Sequence, residues 1–151
     1  MEQYDSTLET LKHIKRVQDL LLGVASKLIY RATEHDKSKF SEQEKPFYDK
    51  LTPLLKDAEY QSSEYKQFLI DLKPALEHHY ANNSHHPEHY ENGINGMDLL
   101  DLIEMLVDWK AAGERNKNGN IYSSIELNKT RFSISEQLTE ILNNTAKKLD
   151  F

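Results

Sequence analysis

Apolar residues recur at intervals of three and four along most of the chain, which is the spacing of amphipathic α-helices. The longest such stretch predicts a first helix from about Ser6 to Arg31, with one apolar stripe along it. The stripe consists of Leu8, Leu11, Ile14, Val17, Leu21, Val24 and Leu28. The same spacing predicts further helices around residues 47–55, 63–80, 97–112 and 138–149. The pattern therefore predicts an all-α fold, with residues 1–151 forming a single-domain bundle of five to six helices.

Candidate helix boundaries are marked by capping residues and by prolines. Ser41 with Glu44, and Ser133 with Glu136, have the Ser-x-x-Glu spacing of a capping box at a helix N-terminus. Pro74 falls inside the apolar stripe of the third predicted helix. We expect this proline to bend that helix or to divide it in two.

Two connecting segments lack a helical pattern. Residues 57–63 predict a surface connection, and Asn116–Asn120 carries the asparagine and glycine residues of a turn. Residues 121–127 show no clear helical spacing, so we expect an extended or irregular segment there. A short hairpin near residues 116–128 is therefore an alternative to an entirely helical chain.

The overall composition is that of a soluble globular protein. The 151 residues are 38% hydrophobic and 29% charged, which is enough apolar material for a core. The net charge of −6 disfavours binding to nucleic acid, which needs clustered lysine and arginine. No apolar run is long enough for a membrane span, and none resembles a signal peptide. Because the chain has no cysteine, it has neither disulfides nor thiolate metal ligands, and we expect a cytoplasmic protein.

Histidines are concentrated in one short stretch, since five of the seven fall between His78 and His89. Imidazole binds metals such as Zn, Fe, Ni and Co, and carboxylates add the ligation that Mn and Mg prefer. The apolar stripe of the preceding helix, continued by one turn, places His79 inward and His78 about 100° away, so we favour His79. The chain therefore predicts a metal site of nitrogen and oxygen ligands. Its candidate ligands are His13, His35, Asp36, His79, His85, His86 and Asp101.

The order of these residues resembles a known family. An early histidine, a His-Asp pair and a later aspartate follow the pattern of the HD superfamily of metal-dependent phosphohydrolases. The segment His35-Asp-Lys-Ser-Lys39 is similar to the His-Asp-x-Gly-Lys segment of that superfamily, with Ser38 in the glycine position. His85-His-Pro-Glu88 and Asp101-Leu-Ile-Glu104 resemble segments of its cyclic-dinucleotide phosphodiesterase branch, although the Gly-Tyr-Pro segment of that branch is missing.

The chain also looks like an uncharacterised family of small phage and bacterial proteins, and this resemblance is closer. It covers the chain from about His13 to Leu142. The segments that carry it are Arg31-Ala-x-x-His-Asp-Lys-Ser-Lys39, Asn83-x-His-His-Pro-Glu88 and Asp101-Leu-Ile-Glu-Met-x-x-Asp-Trp109.

The HD resemblance implies an HD-like helical domain that holds one or two divalent transition metals, with Mn, Fe, Co, Ni and Zn as candidates. The implied activity is hydrolysis of a phosphate ester, with a nucleotide or a related small molecule as the expected substrate. The implied ligands of the first metal are His13, His35, Asp36 and Asp101. Those of the second are His79 with His85 or His86, and Asp36 would bridge the two metals.

The same resemblance assigns roles to charged residues around the metals. Asp36 and Lys39 are the expected catalytic residues, because a cation such as Lys39 offsets charge that develops on the phosphoryl group. Arg31 is a second candidate for that contact. Glu88 and Glu104 are expected to orient the ligating imidazoles.

Two aspartates on the helix at residues 97–112 compete for the first metal site. We choose Asp101, because it matches the superfamily segment and lies close to the His85-His86 loop. Asp108 lies about 10 Å further along the helix, given a rise of about 1.5 Å per residue.

Two alternatives to an enzyme remain open. In the first, the chain is a non-catalytic binding or structural module in which the metal only stabilises the bundle or no metal binds. A closed coordination sphere would favour a structural role, and an open position with water would favour catalysis. In the second, the chain is a partner-binding or nucleotide-sequestering phage protein. Tight nucleotide binding without turnover would distinguish it.

Overall fold

The computed structural model describes residues 4–57, 62–115 and 119–151, and in these ranges the chain is helical, without a β-strand. The six α-helices are α1 (Thr7–Glu34), α2 (Lys45–Asp57), α3 (Ser63–Asn82), α4 (Leu99–Gly113), α5 (Ile121–Phe132) and α6 (Glu136–Lys148). Three short 3₁₀ helices cover Lys37–Phe40, Pro87–His89 and Gly93–Gly96. The predicted all-α fold of five to six helices is confirmed. Within the described ranges, none of the helices combines the length and the apolar character that a membrane span requires.

The chain divides into two compact units, Met1–His35 and Asp36–Phe151. The first unit is the single helix α1, which begins close to the predicted start and runs three residues beyond the predicted end. A single helix has no second element in its own unit against which to bury its apolar stripe. That the two units form one domain stays a prediction.

The second unit has two hydrophobic clusters. The first lies between α2 and α3, where Leu51, Leu72 and Ala75 are buried. The second holds α4, α5 and α6 together, and its buried residues include Leu106 and Ile125. Each buried leucine or isoleucine contributes about 1.5–3 kcal/mol to folding. The segment between α3 and α4 joins the elements of the two clusters along the chain, and it carries three of the seven histidines, His85, His86 and His89.

The predicted extended segment at residues 121–127, and with it the hairpin, is wrong. These residues belong to α5, which begins after Asn120, whose side chain accepts a hydrogen bond from the Tyr122 backbone. Ile121 and Ile125, four residues apart, are both buried in the core. The Asn120 cap and the burial of these two isoleucines therefore stabilise a helix, although the polar residues between them show little helical spacing. Residues 116–118 of the predicted turn lie outside the described residues, as do residues 58–61 of the predicted surface connection.

The predictions at helix boundaries have mixed outcomes. Pro74 lies inside the continuous helix α3 and does not divide it, while the alternative effect, a bend, stays a prediction. The cap of α6 is Ser135, whose hydroxyl accepts from the Leu138 backbone at 3.3 Å, while Ser133 ends α5 with a left-handed backbone (φ 52°). Among the described residues, the buried Ser41 hydroxyl has no hydrogen-bond partner, so it caps no helix.

Candidate metal centre

Four potential metal ligands of the second unit converge from three places in the chain. His79 comes from the last turn of α3, and His85 and His86 come from the connection that follows it. Asp36 precedes the first 3₁₀ helix and has a left-handed backbone, with φ 58° and ψ 13°. This conformation is uncommon outside glycine, although aspartate tolerates it better than most residues do. Such local strain of about 1–3 kcal/mol persists where the surrounding structure requires it, and functional sites are common examples.

The distances between these four residues fit one coordination sphere. One ligand atom from each of Asp36, His79, His85 and His86 lies within 4.8 Å of the others. The Nε2 atoms of His79 and His86 are 2.9 Å apart, and Asp36 Oδ1 lies 3.3 Å from His79 Nε2 and 3.5 Å from His85 Nε2. Tetrahedral bonds of about 2.0–2.1 Å place neighbouring ligand atoms about 3.3–3.4 Å apart. The set of three imidazoles and one carboxylate therefore fits a divalent transition metal.

The protonation states within the cluster suit metal binding. Burial raises the pKa of Asp36, but hydrogen bonds from His79, His85 and Lys39 outweigh this effect and hold it far below its usual value. Burial, followed by the charges of His85 and His79, lowers the pKa of His86 to about 3. Asp36 is therefore ionised and His86 neutral near pH 7, and these are the forms that bind metals.

His85 is held differently from His86. Burial alone would lower the pKa of His85, but hydrogen bonds to Asp36 and Glu104 raise it to about 9. Without a metal, the imidazolium of His85 therefore offsets the charge of two neighbouring carboxylates. Binding of a metal would displace that proton, because a ligating imidazole must offer a lone pair.

Two carboxylates fix the orientation of the inner histidines. Glu44, which is 0% exposed, lies 3.0 Å from His79 Nδ1, and Glu104 lies 3.1 Å from His85 Nδ1. Each of these contacts engages Nδ1 and leaves Nε2 directed at the cluster. Metal-binding histidines almost always use their second nitrogen in this way. The predicted role of Glu104 as a partner of a histidine is thus consistent with its position.

Glu44 is a residue of the site that the sequence interpretation missed, because it read this side chain as part of a capping box. Its second carboxylate oxygen lies 2.7 Å from Nδ1 of His78, so one buried carboxylate holds two neighbouring histidines. Burial raises the pKa of Glu44, but hydrogen bonds from His78 and Ser38 and the charge of His79 lower it below its usual value. The only signal in the sequence was the Ser41-x-x-Glu44 spacing, which points to a different role.

Ser38 lies in the 3₁₀ helix that follows Asp36, and its side chain contacts His79 and Asn83. Its hydroxyl lies 3.0 Å from His79 Nδ1 and accepts a hydrogen bond of 2.7 Å from the Asn83 side chain. Asn83 also donates to the backbone carbonyl of His79 at 2.7 Å. The side chain of Ser38 therefore links the 3₁₀ helix after Asp36 to the end of α3.

Asp101 and Asp108, the two aspartates considered for the first metal site, have different contacts. Asp101 is buried, and its carboxylate accepts hydrogen bonds from the Ser84 hydroxyl at 2.7 Å, the Tyr90 hydroxyl at 2.6 Å and the Asp98 backbone at 3.0 Å. In the described part of the chain, no group of potential metal ligands includes Asp101, whereas Asp108 has an oxygen within 4.8 Å of a ligand atom of Asp36.

The three acidic residues on this face of α4 thus have different contacts. Asp101 anchors the connection that carries the histidines, Glu104 contacts His85, and Asp108 lies next to Asp36. The choice between Asp101 and Asp108 as a metal ligand stays a prediction. The sequence gives the spacing of the three along α4, but not the position along that helix at which Asp36 arrives.

The remaining predicted residues have varied surroundings. Lys39 donates to Asp36 Oδ2 at 2.5 Å, so it lies at the edge of the cluster. Glu88 pairs with Arg131 of α5 at 2.7 Å, and its expected role in orienting an imidazole stays a prediction. His13 and Arg31 lie in α1, and His35 follows that helix, its backbone N–H donating to the Arg31 carbonyl at 2.8 Å. These three belong to the first unit, and their part in the site stays a prediction.

Comparison with known proteins gives a family but no function. The chain belongs to the family of unknown function DUF5662, whose sequence profile matches residues 2–148. No curated protein and no solved structure gives a significant match.

Proposed function

We propose that this protein is a metal-dependent phosphohydrolase that acts on the phosphate ester of a small molecule, with nucleotides as the first class to test. The observation that carries the proposal is the convergence of Asp36, His79, His85 and His86 within 4.8 Å. The contacts of Glu44 and Glu104 to the outer nitrogens of His79 and His85 support it, because such partners are typical of metal-binding imidazoles. The likeness of the segment from His35 to Lys39 to the HD superfamily supports the choice of phosphate chemistry.

A divalent ion at this site would polarise a phosphoryl oxygen and lower the pKa of a water molecule towards neutrality. In the proposed reaction, the water oxygen bonds to phosphorus, the ester P–O bond breaks, and the departing alcohol oxygen takes up a proton. Lys39 lies at the edge of the cluster, where its ammonium would offset charge on the phosphoryl oxygens. The Asp108 carboxylate, next to Asp36, is a nearby acceptor for the proton that the water gives up.

A second candidate function is a structural metal site without turnover. It is favoured by one observation, since four protein ligands would already fill a tetrahedral shell, as in structural zinc sites. Catalytic sites keep an open position or expand their coordination. A protein that binds one metal tightly, melts at lower temperature without it and hydrolyses no phosphate ester would have this second function.

The test of the proposed function is metal analysis of protein purified without chelator, followed by a screen of phosphate esters. We expect a divalent transition metal and a metal-dependent release of phosphate. The variant His86→Ala should lose both. His89→Ala is the matched control, because His89 is exposed and bonds only the Tyr80 carbonyl in the described contacts, at 2.8 Å. Hydrolysis that survives chelation, or that both variants reduce equally, would overturn the proposal.

A further inference from the structure

A groove of about 440 Å³ begins at the edge of the metal cluster, and we call it the α2 groove. One of its walls is a single face of α2, since the lining residues of that helix recur at intervals of three and four. Those residues are Lys45, Tyr48, Asp49, Thr52 and Leu55. Ten residues of helix span about 15 Å, so the groove is much longer than a phosphoryl group.

Lys39 and Tyr48 connect the α2 groove to the metal cluster. Lys39 lines the groove while its ammonium donates to Asp36 at 2.5 Å. The same ammonium lies 5.8 Å from the centre of the Tyr48 ring. An anion bound at this end of the groove would therefore contact the ammonium of Lys39, which already contacts the cluster.

The Tyr48 hydroxyl is a buried donor at this junction. Within residues 4–57, 62–115 and 119–151, no hydrogen-bond partner lies within its reach. Burial, followed by the charges of Glu44 and Asp36, raises its pKa, so the phenol keeps its proton. Buried polar groups without a partner are rare in native proteins. The hydroxyl oxygen is closed to solvent, so Tyr48 lines the groove with other atoms of its side chain.

The charge and the apolar surface of the α2 groove indicate the class of ligand. Lys39, Lys45 and Arg115 contribute three cations against the single carboxylate of Asp49, in a chain whose net charge is −6. A local excess of positive charge in an acidic protein attracts anions. Asp49 pairs with Lys45 and Asp36 pairs with Lys39, each at 2.5 Å, so the local excess amounts to one positive charge, to which Arg115 contributes.

The apolar lining of the groove comes from Phe40, Leu55 and Leu72. Free phosphate would leave this surface unused, whereas an organic phosphate would cover it. A cleft with an apolar wall and a few convergent polar groups is typical of sites for small organic molecules.

We propose that the α2 groove is the substrate cleft of the metal centre. It takes a phosphate monoester with its phosphoryl group at Lys39 and an apolar body of aromatic size along α2. The proposal rests on the proposed function, because it uses the same metal centre. It adds the position of the non-reacting part of the substrate and a requirement for that part to be apolar.

Binding of two phosphonates tests the cleft without requiring turnover, because a P–C bond is not hydrolysed. The probes are phenylphosphonate, which has an aromatic body, and methylphosphonate, which has only a methyl group. Isothermal titration calorimetry of the metal-loaded protein should give at least about tenfold tighter binding of phenylphosphonate, the gain expected from burying a ring. Equal affinity for both probes, or no binding of either, would overturn the proposal.

Two variants locate the probe in the groove. Thr52→Trp fills the middle of the α2 groove from an exposed position, and Arg115→Gln removes a cation from its far wall. Each should weaken phenylphosphonate binding at least about fivefold with unchanged metal content. Lys50→Trp, also exposed on α2 but outside the groove lining, is the matched control and should bind normally.

The outcomes separate the cleft from the enzyme. If phenylphosphonate binds in the expected pattern and no ester is hydrolysed, the cleft stands and the phosphohydrolase proposal fails. If esters are hydrolysed while Thr52→Trp and Arg115→Gln bind the probe and turn over substrate as the control does, the enzyme stands and the cleft is overturned.

Discussion

Glu44→Gln is the most informative single substitution, because it changes one atom of a side chain that contacts no proposed substrate. Glu44 is 0% exposed and holds His79 at 3.0 Å and His78 at 2.7 Å. The amide of glutamine has a single acceptor oxygen, so it can accept from only one of these two imidazoles with that geometry. The other histidine loses a charge-assisted hydrogen bond.

We expect this change to lower both the metal affinity and the free energy of unfolding. Loss of a carboxylate that orients a metal-binding histidine typically reduces metal affinity about 10- to 100-fold. Loss of one hydrogen bond to a charged group costs about 1.5–3 kcal/mol of the free energy of unfolding. For a chain of this size, that loss lowers Tm by roughly 3–12 °C.

Competition with a chromophoric chelator measures the metal affinity, and differential scanning calorimetry with and without chelator measures the stability. Glu42→Gln is the matched control, since Glu42 is an exposed carboxylate two residues away, and it should behave as the unaltered protein. If Glu44→Gln and Glu42→Gln retain the same metal affinity, Glu44 does not position a metal ligand, and the reasoning about the outer carboxylates fails.

Four further substitutions test other parts of the account. Asp36→Ala should abolish metal binding and retain the helical circular dichroism spectrum; full metal content by elemental analysis would remove Asp36 from the site. Asp101→Asn should lower Tm, because three hydrogen bonds that anchor the histidine segment are weakened, whereas Asp108→Asn should leave Tm nearly unchanged and reduce hydrolysis; the reverse pattern would restore Asp101 as the residue beside the metal. Ile125→Ala should cost about 2–5 kcal/mol in urea unfolding, because Ile125 is 0% exposed; a cost below 1 kcal/mol would contradict its burial in α5.

The periodicity of apolar residues was enough to predict most helices, because the apolar stripe of a helix can be recognised without knowing which element it packs against. It failed at α5, where the helix is specified by the Asn120 cap and by only two well-spaced isoleucines. A cap and a single apolar pair are weak signals in a sequence. Their effect becomes large only when α4 and α6 cover that face of the helix.

The histidine cluster was predictable for a similar reason, since His79 continues the inward face of α3 and His85 and His86 follow closely. The carboxylates were less predictable. Glu44 lies directly before α2 and contacts His79 of α3, and no local sequence pattern encodes that contact. Asp101 and Asp108 share a face of α4, so only the three-dimensional path of the chain decides which of them meets Asp36.

The central claim is that Asp36, His79, His85 and His86 bind one divalent metal, and X-ray absorption at the edge of the bound metal tests it most directly. Protein purified without chelator should show a first shell that contains three imidazole nitrogens and one carboxylate oxygen at about 2.0–2.2 Å. His86→Ala should lose the metal on purification, and when it is reloaded with excess metal the shell should contain one imidazole fewer. A protein that retains no metal, or a first shell without imidazole, would contradict the claim.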